Sequence, residues 1–512
     1  MSSARAAAAS PAPAAEGPVI VWFRRDLRLK DNAALSAAAL SGRAIVPVFV
    51  LDRAGEGEWP EGGAAQWWLH HSLAAFSASL EARGLRLILC VGDPVKALRR
   101  VGRAVGASAV YWNFRYEPAA VAQQEAVSAF AESEGWATRG FTSSVLIEPA
   151  TIRNRQGMPF KVFSAYWRHV SSLSIPAPVR LPMKALVGPN VWPTSLALEE
   201  LRLLPNVGWA AGWEKLWTPG EAGALRSWKQ FVRKMGAYDT ARDLPAAGGT
   251  SRLSPHLHFG EIGPRQIFAA VRGLSRSSGV FPVNSGAQKF LAELGWREFA
   301  YYLLHYFPET PVRPFQPAFA KFNWAADPQQ RKLRAWQRGQ TGYPIVDAGM
   351  RELWATGWMP NRLRMITASF LVKHLLQNWT LGAAWFWDTL IDADLANNTL
   401  GWQWIAGCGA DAAPFFRIFA PVTQGEKLDP KGEYVRRWVP ELAKVPARFI
   451  HAPWSAPFEV LGQAEVVLGK TYPHPIVDHA TARENALEAF RRMRGKASST
   501  NVVARKRQLP PW

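Results

Sequence analysis

Cysteine is nearly missing: Cys90 and Cys408 are the only two in 512 residues. That excludes a disulfide framework and a cysteine-built metal site, and it suits a reducing compartment, so we expect a cytoplasmic protein. No uninterrupted apolar run reaches the roughly 18 residues that a bilayer span needs, so no membrane protein is expected. The N-terminal MSSARAAAASPAPAAEG lacks the leucine-rich core of a secretory signal and reads as a disordered tail over 1–17. Acidic residues are in deficit, 40 Asp+Glu against 60 Lys+Arg, a formal net charge of +20. Such a surplus is the footprint of a polyanionic partner; nucleic acid is the first candidate, an anionic membrane surface or a generic basic protein the alternatives.

Tryptophan is abundant, 25 residues, 13 of them in the second half. Indoles are large core fillers, but they also stack on planar ligands and carry an electron. Along the chain, VIVWF, AIVPVFVL, LRLILCV and AVYWNF read as buried parallel strands, separated by helical patterns around 33–41, 66–83, 94–105 and 119–134. This predicts a doubly wound, Rossmann-like α/β domain over 18–148. No G-x-G-x-x-G follows the first strand; FRRDLRLKDN stands there, which argues against an ordinary NAD site. Residues 149–219 are proline-broken and read as an irregular connector. From 220 to 495 the spacing is helical, predicting an all-α second domain, and KASSTNVVARKRQLPPW closes the chain with a basic tail over 496–512.

Three stretches carry chemistry. In TSRLSPHLHFGE, Thr250, Ser251 and Ser254 put hydroxyls where the chain enters a helix, which suits either a phosphate or a plain helix cap. In FLAELGWREF, Glu293, Trp296 and Arg297 share one helical face, and Asn361 and Met365 lie one turn apart on a following helix. Together they could line a flat slot with polar hooks; the alternative is a surface Glu293–Arg297 pair above core Trp and Met. The run DADLANNTLGWQW offers two acids and two asparagines but Ala396 and Asn397 where a calcium loop needs an oxygen ligand and glycine, so we expect no metal. Its acids then require cations, and Arg364 is the candidate partner for Asp392.

These motifs, with ELGWREF, TGYPIVDAGMRELWATGWMPNRLRMITASFLVKHLL and DADLANNTLGWQWIAGCGADAAPFFRIFAPVTQGEK, resemble the DNA photolyase and cryptochrome family over about 18–490, and most of all its bacterial cyclobutane pyrimidine dimer photolyases. The resemblance implies a bent FAD in the helical domain. Tyr238, Thr250, Ser251, Arg252, Leu253 and Ser254 would hold its phosphates and ribityl chain; Asp392, Asp394 and Asn398 would surround the isoalloxazine, with Asn398 facing N5 and Arg364 paired to Asp392. Trp402, Trp379 and Trp324 match the family's electron-transfer chain. Trp296 and Trp404 would flank a flipped-out dimer, Glu293 would hydrogen-bond its bases, Asn361, Arg362 and Met365 would complete the pocket, and Arg242 would contact a phosphate. The expected partner is damaged DNA and the expected state a monomer.

The family often carries histidine where this chain has Pro360, and GWMPNRLRM lacks the histidine pair of (6-4) photolyases, which points to the cyclobutane lesion. His258 and His374 are expected elsewhere, in structural roles. Asn113, Arg115 and Glu117 sit at a predicted strand end where family members bind an antenna chromophore; methenyltetrahydrofolate is the first expectation, a deazaflavin or no antenna the alternatives. The reading from another functional class is a cryptochrome-type blue-light photoreceptor. The short C-terminal tail and the full dimer-pocket set favour repair. A light-independent flavin oxidoreductase fits poorly, because no dinucleotide fingerprint is present.

Overall fold

The strand Val19–Phe23 (β1) is apolar at all positions because both of its faces are covered: Val19, Val21 and Phe23 enter one core while Ile20 and Trp22 enter another. It pairs in parallel with Ile45–Leu51 (β2) on one side and Ala109–Asn113 (β4) on the other; Ile88–Val91 (β3) and Ala137–Phe141 (β5) complete a sheet of order β3-β2-β1-β4-β5. The computed structural model describes residues 17–277 and 285–495, so the expected tails 1–17 and 496–512, Gly17 excepted, lie outside the described residues. Helices Ala33–Leu40 (α1), Gly63–Glu81 (α2), Pro94–Val105 (α3) and Pro118–Ser133 (α4) make the crossovers. Their starts are locally encoded: Asn32 caps Leu35 N, Asp93 caps Lys96 N, and Pro94 and Pro118 open first turns.

Two elements escape the sequence pattern. β5 is ATRGF, a partly exposed edge strand whose apolar signal is weak, and Gly140 is required in it because a Cβ there would lie 2.2 Å from the Phe114 ring. The connector is not wholly irregular: Phe163–Ser172 (α5), FSAYWRHVSS, has neither proline nor glycine and packs on the Ser285–Tyr306 helix. Beyond it the helical half gathers the largest apolar cluster, with Trp336, Trp379, Trp387 and Trp402 inside. Among the described residues no helix is long and apolar enough to cross a membrane, and no group of three or more His, Cys, Asp or Glu could hold a metal ion.

The segment FRRDLRLKDN has a structural task that its position after β1 does not announce: it wires the two domains together. Arg28, almost fully buried, donates to Gly260 O at 2.9 Å, Asp31 O at 2.7 Å and Ser143 Oγ at 2.7 Å. Leu27 N donates to Phe259 O at 3.1 Å, and across the same junction Trp68 Nε1 donates to Glu261 Oε1 at 2.9 Å. Gly260, at φ +66°, cannot carry a side chain, since its Cβ would fall 2.2 Å from Arg25 O. The TSRLSPHLHFGE segment is thereby clamped against the α/β domain.

Candidate functional site

The Leu395–Ala406 helix organises the site. Asp394 caps it, its Oδ1 accepting from Asn397 N at 2.9 Å and from Asn397 Nδ2 at 2.7 Å, while its Oδ2 accepts from the Tyr301 hydroxyl and faces His258 Nδ1 at 3.5 Å. Both oxygens are thus engaged by protein groups, and Asp394 caps the helix. Burial alone would raise its carboxyl, but His258, Arg297 and Tyr301 outweigh that and hold it below the usual carboxylate range. His258 is not apart from the site. It lies between Asp394 and Glu61 Oε2, 3.9 Å from its Nε2, at separations of charge contact rather than hydrogen bonding.

One turn into this helix, Asn398 Nδ2 donates to Ala383 O at 3.0 Å, which turns its carbonyl oxygen away from that contact and leaves it as an acceptor. Arg364 Nη2 donates to Asp392 Oδ2 at 2.8 Å, and the other oxygen, Oδ1, is buried with no hydrogen-bond partner. Arg364 is itself fixed by Met359 O at 2.8 Å. The hydroxyl loop docks on the same wall, for Trp358 Nε1 donates to Ser254 Oγ at 3.2 Å and the Arg252 guanidinium lies over the rings of Trp358 and Trp217. Ser254 opens only a five-residue helix, and Ser251 Oγ accepts from Leu253 N at 3.3 Å, so the loop shows turn chemistry with Thr250 half-buried and Leu253 buried. Tyr238 packs its ring against Phe231 and Phe290.

Trp402 is almost wholly enclosed, with Phe386 edge-on at 5.0 Å and Trp336 at 6.2 Å. The Trp379–Thr389 helix reaches it closely because residue 382 is glycine: a Cβ there would stand 2.0 Å from the indole. Trp379 begins that helix after the Asn378 cap, and Trp324 is brought to its vicinity by Ala325 N donating to Leu376 O at 2.8 Å. Trp324 leans on Phe322, 4.5 Å between ring centroids.

A charged ring lies on the remaining side. Glu293 does not pair with Arg297, the neighbour that helical spacing offers; Arg297 turns inward to Ser144 O at 2.8 Å and Glu298 Oε1 at 3.2 Å. Instead Arg242 Nη1 binds Glu293 Oε1, Lys289 Nζ approaches the same oxygen at 3.6 Å, and Arg362 Nη2 binds Asp243 Oδ2 at 2.5 Å. Asn361 Nδ2 meets Met365 Sδ at 3.9 Å. Trp296 stacks on Phe163 at 3.8 Å, and Trp404 packs against the main cluster. The helices of Trp296 and Met365 each pack on the helix of Trp404, so these three expected slot residues lie on adjoining elements.

At the C-terminal ends of β1 and β2 opens a cavity of ≈ 230 Å³ lined by Arg24, Arg25, Arg53, Arg115, Glu56 and Glu61, among others. Of the three expected antenna residues only Arg115 lines it; Asn113 Nδ2 is committed to Asn32 Oδ1 at 2.8 Å and to Asp26, and Glu117 is held between Arg25 and Arg115. Burial would raise the Glu117 carboxyl, but Arg115 and Arg25 pull it down to about 2. Arg24 and Arg25 were missed; their position directly after a buried strand, where doubly wound folds bind ligands, was the available signal.

The donor set fits a flavin ring: an orphaned carboxylate oxygen beside a guanidinium, and an amide whose oxygen is left to accept. Comparison with known proteins agrees. A family model described as "DNA photolyase" matches residues 19–183, and one described as "FAD binding domain of DNA photolyase" matches 290–492. The chain is 48% identical over 92% of its length to a deoxyribodipyrimidine photo-lyase of Agrobacterium fabrum, of which 97% is covered. It is 40% identical over 93% of its length to Cryptochrome-2 of Arabidopsis thaliana, of which 79% is covered. The crystal structure of a bacterial class III photolyase from Agrobacterium tumefaciens superposes with a TM-score of 0.89 at 46% identity, covering 96% of this chain and 100% of that one. From its α/β and helical halves, its site and these relatives, this chain belongs to the DNA photolyase and cryptochrome family.

Proposed function

We propose that the protein is a light-dependent lyase, acting as a cytoplasmic monomer, that splits cyclobutane pyrimidine dimers in DNA. The observation that carries this reading is the Leu395–Ala406 helix, which bears Asn398, Trp402 and Trp404 together, so one rigid element would link a flavin to the dimer slot. FAD, when bound in its reduced form, would supply light-driven one-electron chemistry to the dimer. The residues do the rest. Asp392 and Arg364 would hold the flavin ring, and Asn398 Oδ1, left free by the bond of its Nδ2 to Ala383 O, would accept a hydrogen bond from it. Trp296 and Trp404 sandwich the extruded bases, which leave the duplex cheaply because a dimer stacks and pairs poorly. Glu293 accepts from base N–H groups, Asn361, Arg362 and Met365 close the pocket, and Arg242 engages a phosphate. Trp402, Trp379 and Trp324 offer a route by which electrons reach oxidised flavin from the surface.

Arg24 keeps Nε and Nη1 buried without hydrogen-bond partners at the α/β cavity. That favours an anionic antenna chromophore there, methenyltetrahydrofolate or a deazaflavin, which extraction and absorption spectroscopy of the purified protein would identify. The 40% identity to a plant cryptochrome favours a second reading, a blue-light photoreceptor. Illuminating the reduced protein with thymine-dimer DNA decides: recovery of thymine absorbance supports repair, and flavin-loaded protein without recovery supports the photoreceptor.

A further inference from the structure

A surface that must meet phosphates carries two acids, Glu293 and Asp243, each set against an arginine from a different element. Arg242, just past the Tyr238–Ala241 helix, reaches Glu293 on the Ser285–Tyr306 helix; Arg362, on the Asn361–Ser369 helix, reaches back to Asp243 at 2.5 Å; Arg242 Nε stands 3.7 Å from Asp243 Oδ1 and closes the ring. The side chain of Arg242 is only 11% exposed and that of Glu293 24%. The pairs are thus partly withdrawn from solvent, where salt screens them least.

We propose that these pairs are an electrostatic latch that discriminates against undamaged DNA, with Asp243 and Glu293 withholding Arg362 and Arg242 from phosphates until an extruded lesion releases them. The inference rests on the reading that DNA docks on this face. An intact duplex offers phosphates but no donor to replace Arg242 at Glu293, so opening the pair would leave a partly buried carboxylate with only the longer Lys289 contact at 3.6 Å, and the pair stays closed. A flipped dimer presents base N–H donors to Glu293. The carboxylate changes partners, Arg242 swings to a phosphate, and Asp243, which Arg242 also approaches, loses part of its hold on Arg362. The acids lower affinity for every DNA, but damaged DNA recovers it; specificity arises from the difference.

The test is binding in the dark to a duplex with and without one thymine dimer, by fluorescence anisotropy across a salt series, using flavin-loaded protein. Glu293→Gln should bind the undamaged duplex roughly five- to tenfold more tightly at about 0.1 M salt, with the slope of log K against log salt steeper by about 0.9, as expected for one newly available phosphate contact. Asp243→Asn should do the same through Arg362, although Asp243 is not assigned to the bases. In an Arg242→Gln background the gain from Glu293→Gln should vanish. Melting temperature and flavin content report whether each variant is folded. Unchanged binding of undamaged DNA by both single variants overturns the latch, as does a gain that persists without Arg242, which would mean only that a negative charge was removed. Lesion preference and light-driven repair by the unaltered protein check the docking reading separately: their presence with unchanged variants defeats the latch alone, and their absence defeats both.

Discussion

Replacing Gly382 with alanine should damage both stability and flavin photoreduction, through one contact. The added methyl would lie 2.0 Å from Cη2 and 2.4 Å from Cζ3 of Trp402, and 2.7 Å from Leu371 Cδ2. Trp402 cannot step aside, since Phe386 and Trp336 flank it. Forcing a methyl into a filled core costs about 1–3 kcal/mol, while alanine gains about 1 kcal/mol over glycine in a helix interior; a net loss of up to about 2 kcal/mol is expected. Gly401→Ala is the control, because on the neighbouring helix its Cβ would meet nothing within 4 Å. It should stabilise by about 0.5–1 kcal/mol. Urea denaturation followed by tryptophan fluorescence gives the stabilities, and blue-light reduction of oxidised flavin with an external reductant gives the second readout, which a displaced Trp402 should slow. If Gly382→Ala is as stable as Gly401→Ala and photoreduces at the unaltered rate, the close helix approach does not hold Trp402 as described.

Trp402→Phe should slow photoreduction of oxidised flavin by at least tenfold yet spare repair by chemically reduced protein; equal loss of both, in parallel assays, would merge roles that we separate. Arg364→Met should strip the buried Asp392 of its cation and destabilise by about 3 kcal/mol, with weaker flavin retention, measured by denaturation and by absorbance after gel filtration. For His258, burial and Arg25 depress the imidazole pKa, but Asp394 and Glu61 together raise it above its usual value. A raised folded-state pKa means stability that is fully present below the ordinary value of 6.5 and is lost as pH rises through the raised one. Relative to His258→Gln, the unaltered protein should therefore lose stability as pH rises above 6.5; parallel pH profiles in urea melts would remove His258 from the charge chain.

The α/β half was legible because four strands are continuous apolar runs and three of its four helices begin at caps or prolines. β5 was not, since an edge strand buries little and so shows little hydrophobic pattern. The connector helix α5 was obscured by the proline-rich stretch after it. In the site, the partnership of Arg364 with Asp392 followed from the need of a buried acid for a cation, and the structure has that ion pair at 2.8 Å. The partner of Glu293 was not legible: helical spacing offered Arg297, while the chain path brought Arg242. Nor could spacing reveal that His258 stands between Asp394 and, across the domain junction, Glu61, or that FRRDLRLKDN threads Arg28 into that junction.

What the sequence by itself determined are properties summed over neighbours along the chain: which segments bury apolar surface, where helices start, and that the molecule carries a large positive charge. Only the tertiary structure decided which charge opposes which, because an ion pair depends on separation in space and on exclusion of water, and both are set by how distant segments pack. Arg242 against Glu293, His258 against Asp394 and Gly382 beneath Trp402 are all choices of that kind.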